Sequence, residues 1–291
     1  MSRRGRERLT RIAETFAALR SRGEAALIPY ITAGDPTLEF TSRLVQELAR
    51  RGADLIELGV PFSDPMADGP VNQRAAERAL RSGTSLVQVL DLVQRVRPLV
   101  HLPLILFSYY NPIFRYGGER FAHDARRVGV DGVVCVDLPL EEADELKRET
   151  DKQGLDFIFL LAPTSSLTRA QMVLRQARGF VYYVAVTGVT GTRPILPPDL
   201  DDMVRRIRAI SPVPVGVGFG ISSPEQAAHV GRIADAVIVG SAISRLIETS
   251  GQQPDLITKV GEFVGSLKRA LRKEAEVWRP PGAEVASKPQ T

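Results

Sequence analysis

The sequence predicts a single (β/α)8 barrel with an extra N-terminal helix. Eight short runs rich in Val, Ile and Leu alternate with helical segments over about 240 residues. These runs are continuously apolar, which is typical of parallel strands that are buried on both faces. The first run ends in TAGDP, residues 32–36, and not in the glycine-rich turn of a doubly wound dinucleotide-binding sheet. The barrel is therefore favoured over the open sheet.

An amphipathic helix precedes the first strand. Leu9, Ile12, Phe16 and Leu19 recur at three- and four-residue steps, so we expect their apolar stripe to pack against the lower opening of the barrel. The predicted strands are 26–32, 54–59, 102–108, 132–138, 155–161, 180–186, 213–217 and 235–240. The predicted helices after the first strand are 37–51, 71–81, 85–97, 118–128, 141–153, 168–178, 199–210, 223–231, 241–249 and 254–275.

The chain is predicted to hold one domain, residues 1–275, in which residues 1–22 form a basic N-terminal helix. A length of 291 residues and a hydrophobic content of 44% suit one barrel with a sizeable core. We expect residues 276–291 to be a disordered, flexible tail, because they have little apolar content to bury.

Composition argues against several classes of function. Residues 1–11 carry a net charge of +4, which equals the net charge of the whole chain, so no basic face for nucleic acid is expected. No apolar run reaches the ~18 residues that span a bilayer, and no signal peptide is visible. The single cysteine, Cys135, excludes a disulfide within the chain and is expected to be a buried thiol in a cytoplasmic protein. The three histidines have no metal-ligand spacing, so no metal is expected.

Two carboxylates stand where a barrel places its chemistry, at the carboxyl end of a strand and in the loop after it. Glu57 ends an apolar strand, where an acidic side chain is costly unless it is paired or used. Burial would raise its pKa and suit it to move protons near neutral pH. Asp68 follows on a loop that is rich in proline. For Asp68, a role as a helix cap and a catalytic role are equally good explanations. For Glu57, a catalytic role is favoured over a salt bridge to a neighbouring residue.

Two late glycine-rich turns indicate a phosphate site. GVGFGIS, residues 216–222, follows the seventh strand, and VGSAIS, residues 239–244, follows the eighth. Exposed N–H groups at a helix start bind anions, and barrels commonly hold phosphate at these two loops. The alternative explanation, that the small residues serve only to permit tight turns between strand and helix, is weaker for the two turns taken together.

The segment after the sixth strand, residues 186–198, has the Val-Thr-Gly units and prolines of a mobile lid. Tyr182 and Tyr183 precede it on the strand. Because side chains alternate along a strand, one tyrosine should face the barrel interior and the other the helices. Core packing alone is the favoured explanation for one of the two.

These residues together resemble the tryptophan synthase alpha subunit family. The matching stretches are IPYITAGDP (28–36), ELGVPFSDPMADGP (57–70), YYNPIFRYG (109–117), DLPLEE (137–142), VTGVTG (186–191), GFGISSPEQ (218–226) and VGSAI (239–243). The resemblance implies a carbon–carbon lyase that cleaves indole-3-glycerol phosphate to indole and glyceraldehyde 3-phosphate. It implies no cofactor in this chain, because pyridoxal phosphate belongs to the beta subunit that would be its partner, in an alpha2beta2 heterotetramer.

The resemblance also implies roles for individual residues. The catalytic group would be Glu57, as general acid and base, with Asp68 facing the indole N–H and Tyr182 as the active-site tyrosine. The substrate phosphate would lie against Gly191, Gly220, Gly240 and Ser241. The indole pocket would be lined by Tyr30 and Phe219. The beta subunit would lie near Pro65, Asn111 and Pro139.

Two other functions remain open at this point. Another phosphate-binding barrel, such as an isomerase of a phosphorylated anthranilate or sugar, would share the two glycine turns but not the ELGVPFSDP stretch. A non-catalytic subunit that only activates its partner would need neither Glu57 nor Asp68.

Overall fold

The structure is a computed structural model that describes residues 9–185, 199–218, 220–251 and 253–277, with side chains described as far as Arg272. The strands are β1 Ala26–Thr32, β2 Ile56–Gly59, β3 Leu104–Ser108, β4 Gly132–Cys135, β5 Asp156–Ile158, β6 Leu160–Leu161, β7 Val181–Val184, β8 Val215–Gly218 and β9 Ala236–Val239. The helices are α1 Arg11–Ser21, α2 Leu38–Arg50, α3 Pro70–Arg81, α4 Leu86–Val96, α5 Tyr110–Tyr116, α6 Gly118–Val128, α7 Asp144–Gln153, α8 Leu167–Gln176, α9 Leu200–Ile210, α10 Pro224–Ile233, α11 Ser241–Ser250 and α12 Leu256–Val277.

The strands form one parallel sheet that closes on itself. Their order is β5-β4-β3-β2-β1-β9-β8-β7-β6, and the strands at its two ends, β5 and β6, belong to one run interrupted at Phe159. The eight predicted runs therefore become the eight positions of a (β/α)8 barrel, and the predicted fold class is confirmed. No helix in the described ranges is long and apolar enough to cross a membrane.

Side chains alternate along each strand between the barrel interior and the layer under the helices. Tyr182 packs with the interior group, whereas Tyr183 is 3% exposed among the side chains between sheet and helices. This division confirms the prediction that the two tyrosines face opposite sides. Cys135 is buried in the outer layer, as predicted for an unpaired thiol.

Helix α1 plugs the lower opening of the barrel with three of the four predicted stripe residues. The prediction is wrong for Leu9, which precedes the helix and is 59% exposed. Ile12, Phe16 and Leu19 are buried and join interior residues of the strands, among them Phe180, whose ring centroid lies 5.7 Å from that of Phe16. The helix is anchored at its start, because the Thr10 hydroxyl donates a 2.6 Å hydrogen bond to Asp156. The lower opening is thus filled, and the carboxyl ends of the strands, where a barrel binds its ligand, lie at the upper end.

A buried lysine fixes the last helix to the sheet. Lys268 of α12 is 2% exposed, and its Nζ donates to Glu24 at 3.1 Å and to Asp54 at 2.8 Å. Asp54 also accepts a hydrogen bond from the backbone N–H of Leu27 at the start of β1. Two carboxylates offset the charge of the ammonium group, so the lysine can be buried between α12 and the starts of β1 and β2.

One helix escaped prediction. Helix α5 spans only Tyr110–Tyr116 and contains Asn111 and Pro112, which are typical of a loop. The predicted end of α12 at residue 275 lies two residues before the observed end at Val277. The predicted lid 186–198 and tail beyond 277, together with Gly191 and Phe219, lie outside the described residues.

The plug can be tested by truncating its largest side chain. We expect Phe16→Ala to lower the free energy of unfolding by about 3–5 kcal/mol, because Phe16 is 5% exposed and its ring packs against that of Phe180. Urea denaturation gives the value. Leu9→Ala is the control, since Leu9 is 59% exposed and its truncation should change stability little. Equal effects of the two substitutions would contradict a packed plug.

Candidate active site

Glu57 is the most unusual side chain in the barrel. It lies on β2, opposite Tyr30 of β1 and Ile105 of β3 in the sheet register, and it is fully buried. Neither carboxyl oxygen has a hydrogen-bond partner among the described residues. Burial without a partner raises the pKa of Glu57 to about 8. The salt bridge that would have made Glu57 merely structural is not found in the described part of the chain, and the carboxyl is set up to exchange a proton near neutral pH.

An aromatic wall surrounds Glu57 in the upper barrel. The ring of Phe107 on β3 lies between Tyr30, at a centroid distance of 5.1 Å, and Tyr182, at 6.4 Å. Burial, together with the nearby Glu57 and Asp68 carboxyls, raises the pKa of both tyrosine hydroxyls well above their ordinary value. Both hydroxyls therefore stay protonated, and the Tyr30 hydroxyl lies 3.4 Å from that of Thr32.

Two glycines make room for the tyrosine hydroxyls. A Cβ at Gly59 would lie 2.3 Å from the Tyr30 hydroxyl, and a Cβ at Gly218 would lie 2.2 Å from the Tyr182 hydroxyl. No real side chain approaches that closely, so glycine is required at the ends of β2 and β8. The orientation of each tyrosine is thus built into a neighbouring strand.

Asp68 is held over the barrel mouth by a residue of another strand. The hydroxyl of Tyr109, which follows β3, donates a 2.9 Å hydrogen bond to Asp68 Oδ2 and accepts one of 2.9 Å from the backbone N–H of Ala67. Burial raises the pKa of the Asp68 carboxyl, although hydrogen bonds from Tyr109 and Asn72 lower it in part. Helix α3 begins after Gly69 without a side-chain cap, so the capping explanation of Asp68 is wrong.

An uncapped helix start faces the other side of the mouth. Helix α11 begins at Ser241, its N-cap is Gly240, no side chain caps it, and its first turn holds no acidic residue. The register pairs Gly218 of β8 with Ile238 of β9, so Gly220 and Gly240 follow at equivalent places in adjacent turns. Free N–H groups and the positive end of the helix dipole make this a place for an anion.

Helix α10 contrasts with α11 at this edge. Its N-cap Ser223 accepts from the backbone N–H of Gln226, whose side-chain oxygen accepts in turn from the N–H of Ser222. The start of α10 is therefore largely satisfied from within, whereas no side chain of the described residues caps α11.

The predicted partner residues lie on three adjacent loops. Pro65 follows β2, Asn111 is in α5 after β3, and Pro139 follows β4. Asn111 and Pro139 are exposed, and Pro65 is half-buried. Two large apolar side chains on the same loops face solvent, Met66 at 90% and Phe114 at 64% exposure.

The structure thus brings together Glu57, Asp68, Tyr30 and Tyr182 at the upper end, with Gly220, Gly240 and Ser241 at one edge. It adds Tyr109 and Phe107, which the sequence analysis did not assign. Phe107 is near the end of β3 and Tyr109 directly follows this strand, where a barrel places its active site. Their position in the sequence could therefore have identified them as candidate site residues. Within the described residues no three acidic, histidine or cysteine side chains are grouped to hold a metal ion.

The fold and the site together define a barrel enzyme of the acid–base class. The family described as "Tryptophan synthase alpha chain" matches residues 16–272. The tryptophan synthase alpha chain of Geobacter sp. (strain M21) is 53% identical over 265 residues, which cover 91% of this chain and 99% of the relative. That of Solibacter usitatus is 47% identical and covers 92% and 100%, respectively.

Solved structures agree with these relatives. Tryptophan synthase subunit alpha from Legionella pneumophila superposes with a TM-score of 0.85 at 41% identity, covering 91% of this chain and 100% of that one. Mycobacterium tuberculosis tryptophan synthase gives a TM-score of 0.83 at 35% identity, covering 91% and 99%. The chain therefore belongs to the tryptophan synthase alpha chain family. It is a carbon–carbon lyase of tryptophan biosynthesis whose reaction cleaves indole-3-glycerol phosphate, and the isomerase alternative is excluded.

The raised pKa of Glu57 predicts a pH dependence of stability. The folded protein keeps this proton up to pH about 8, whereas an exposed glutamate has a pKa of 4.5, so the folded state binds one proton more between these values. Stability should therefore fall as the pH rises through this window, and Glu57→Gln should remove that contribution. Urea denaturation at several pH values from about 5 to about 8 measures the difference in free energy of unfolding between Glu57→Gln and wild type.

The control for this comparison is Glu262→Gln, at an exposed position of α12. We expect its difference from wild type to be nearly independent of pH. A Glu57→Gln difference that is equally flat would show that Glu57 titrates normally.

Proposed function

We propose that Glu57 is both the general acid and the general base of the cleavage. Protonation of indole C3 by the neutral carboxyl turns the ring into a leaving group. The resulting carboxylate then takes the proton of the substrate hydroxyl on the glycerol carbon that is bonded to C3, as the bond between that carbon and C3 breaks. The electron pair of the broken bond returns to the ring, which gives indole. The other fragment leaves as the aldehyde glyceraldehyde 3-phosphate. The observation that carries this role is a buried carboxyl without a partner and with a pKa of about 8, which has both forms available near neutral pH.

Asp68 serves the opposite end of the ring in this proposal. Positive charge develops on the ring nitrogen when C3 is protonated, and a fixed carboxylate beside the N–H stabilises it. The Tyr109 hydroxyl occupies one oxygen of Asp68 and so orients the other. This hydrogen bond supports a role for Tyr109 in aiming Asp68.

The aromatic wall supports an indole pocket. Tyr30 and Phe107 meet edge to face, and Tyr182 continues the surface, so a flat apolar ring has aromatic neighbours to pack against. The protonated hydroxyl of Tyr182 is available to the substrate hydroxyl or the indole. Phe219 completes the pocket in the proposal, on the strength of the sequence resemblance alone.

The substrate phosphate is assigned to the start of α11. Gly240 and Ser241 supply N–H groups there, and Gly220 contributes from the adjacent turn. Gly191 in the predicted lid is assigned to the phosphate by the resemblance.

The family also implies an assembly. Tryptophan synthase alpha chains work with a beta subunit, which we place on the exposed loops of Pro65, Asn111 and Pro139 beside Met66 and Phe114. An alpha2beta2 heterotetramer is the proposed stoichiometry. We propose that this chain needs no cofactor, since neither proton transfer nor the bond cleavage is a redox step, and that pyridoxal phosphate resides in the beta subunit. A cytoplasmic location fits its single, buried cysteine.

Indole release from indole-3-glycerol phosphate tests the catalytic proposal. We expect Glu57→Gln to lower kcat by about 10²–10⁴-fold, because the amide neither gives nor takes the proton. The assay uses the purified chain with and without a tryptophan synthase beta subunit, which should speed release by wild type.

Glu262→Gln serves again as the exposed control and should retain wild-type turnover. Glu57→Gln that keeps more than about a tenth of wild-type kcat would remove Glu57 from the acid–base role. Wild type that releases no indole with or without the beta subunit would favour the non-catalytic activating subunit.

The phosphate assignment predicts the effect of a charge at the helix start. Gly240→Asp should weaken binding of glycerol phosphate, because its carboxylate repels the phosphate and occupies the dipole site. A Cβ at this position also meets the Tyr30 ring at 3.0 Å, so a size control is needed. Gly240→Asn supplies the same bulk without the charge and should bind more tightly than Gly240→Asp. Calorimetric titration of glycerol phosphate compares them, and equal affinities of the two variants would place the phosphate elsewhere.

A further inference from the structure

A network of ion pairs lies behind the candidate active site. Its members are Asp35, Arg74, Arg78 and Glu248, and we call it the Arg78 network. Arg78 donates to Asp35 through Nε at 2.8 Å and Nη2 at 2.8 Å, and to Glu248 through Nη1 at 3.0 Å. Arg74 donates to both oxygens of the same Glu248, at 2.6 and 2.9 Å. Two-pronged pairs of this kind fix the relative orientation of the groups as well as their distance.

The network joins the elements that carry the two ends of the site. Asp35 stands in the turn after β1, the strand of Tyr30. Glu248 lies on α11, whose first residue, Ser241, is seven residues earlier or about 10 Å along the helix. Arg74 and Arg78 are one turn apart on α3, the helix that directly follows the Asp68 loop.

Helix α3 also holds the backbone of the Asp68 loop. The Gln73 side-chain amide donates to the carbonyl oxygen of Asp68 at 2.9 Å. Gln73 is adjacent in sequence to Arg74, so the helix that is pinned by the network is the one that carries Asp68. The Tyr109 hydroxyl orients the Asp68 carboxylate, whereas α3 sets where the loop itself stands.

Burial makes this link stiff. Asp35 is 2% exposed and the Arg78 side chain 25% exposed, so water does not replace these hydrogen bonds freely. Arg81, one turn further along α3, offers a contrast, since its side chain is 77% exposed and meets Glu77 only at 3.5 Å. An exposed pair of this kind contributes little.

We propose that Arg78 is a positioning residue, which holds Asp68 at a fixed place relative to the phosphate bound at the start of α11. The inference rests on the proposed roles of Asp68 and of the α11 start. A substrate that is anchored by its phosphate at the start of α11 holds its ring nitrogen at a set distance from that point. The Arg78 network, acting through α3, keeps Asp68 beside the position of the ring nitrogen. Loss of Arg78 leaves the phosphate donors intact and lets the Asp68 loop move.

The first measurement separates kcat from KM for indole-3-glycerol phosphate. Arg78→Met should lower kcat about 10–100-fold, the effect of a small displacement of a reacting group, while KM changes much less. Arg78→Lys, which keeps the charge but loses the two-pronged geometry, should lie between Arg78→Met and wild type. Arg81→Met on the same helix is the matched control and should leave both constants unchanged.

The second measurement asks whether Arg78 acts through Asp68. In a double-mutant cycle, Arg78→Met should lower kcat by less than about twofold when Asp68→Asn is already present, because no carboxylate is left to position. A residue that only stabilises the fold would lower kcat by the same factor in both backgrounds. Urea denaturation of all four proteins accounts for any loss of folded protein.

Removal of Arg78 alone leaves the buried Asp35 carboxylate without its cation, which endangers folding. If Arg78→Met does not fold, Asp35→Asn combined with Arg78→Met takes its place in the cycle, because it removes both charges. Equal loss of kcat with and without Asp68→Asn, or no loss at all, overturns the inference. If Asp68→Asn itself leaves kcat unchanged, the proposed role of Asp68 fails first, and the inference fails with it.

Discussion

Closure of the parallel sheet is the constraint on which the rest of this structure depends. The strands from β4 through β1 to β7 are hydrogen-bonded on both sides, and the ring joins at Phe159, where one run contributes β5 to one end of the order and β6 to the other. Closure directs every second side chain inward, so residues from distant parts of the chain meet in one interior. Tyr30, Glu57 and Phe107 come from the adjacent strands β1, β2 and β3, and closure of the ring brings Tyr182 of β7 to them.

The interior is divided along its axis between stability and chemistry. Its lower part is filled by α1 and by aliphatic side chains such as Leu55 and Ile105. Glu57 of β2 follows Leu55 by two residues and lies beside Tyr30 of the aromatic wall. Burial of Glu57 above this packed layer raises the pKa of its carboxyl.

Much of this could be predicted from the sequence, because the decisive signals are local. Continuous apolar runs gave the strands, and an acidic residue at the end of one run marked Glu57. The partners across the barrel could not be predicted in the same way. The hydrogen bond from Tyr109 to Asp68 joins residues 41 positions apart, and its geometry exists only after β2 and β3 are paired. Helix α5 was missed because its seven residues hold loop-forming Asn111 and Pro112.

The two carboxylates show how one fold gives similar groups different surroundings. Glu57 has no hydrogen-bond partner among the described residues, so its pKa is raised by desolvation alone. Asp68 is tied to Tyr109 and, through its backbone, to Gln73, so it is suited to a fixed position. An unpaired group favours proton exchange, whereas the hydrogen bond from Tyr109 partly offsets the rise in the pKa of Asp68 and fixes its place. In the proposed mechanism, the division between acid–base catalysis and electrostatic stabilisation follows from which carboxylate the fold supplies with partners.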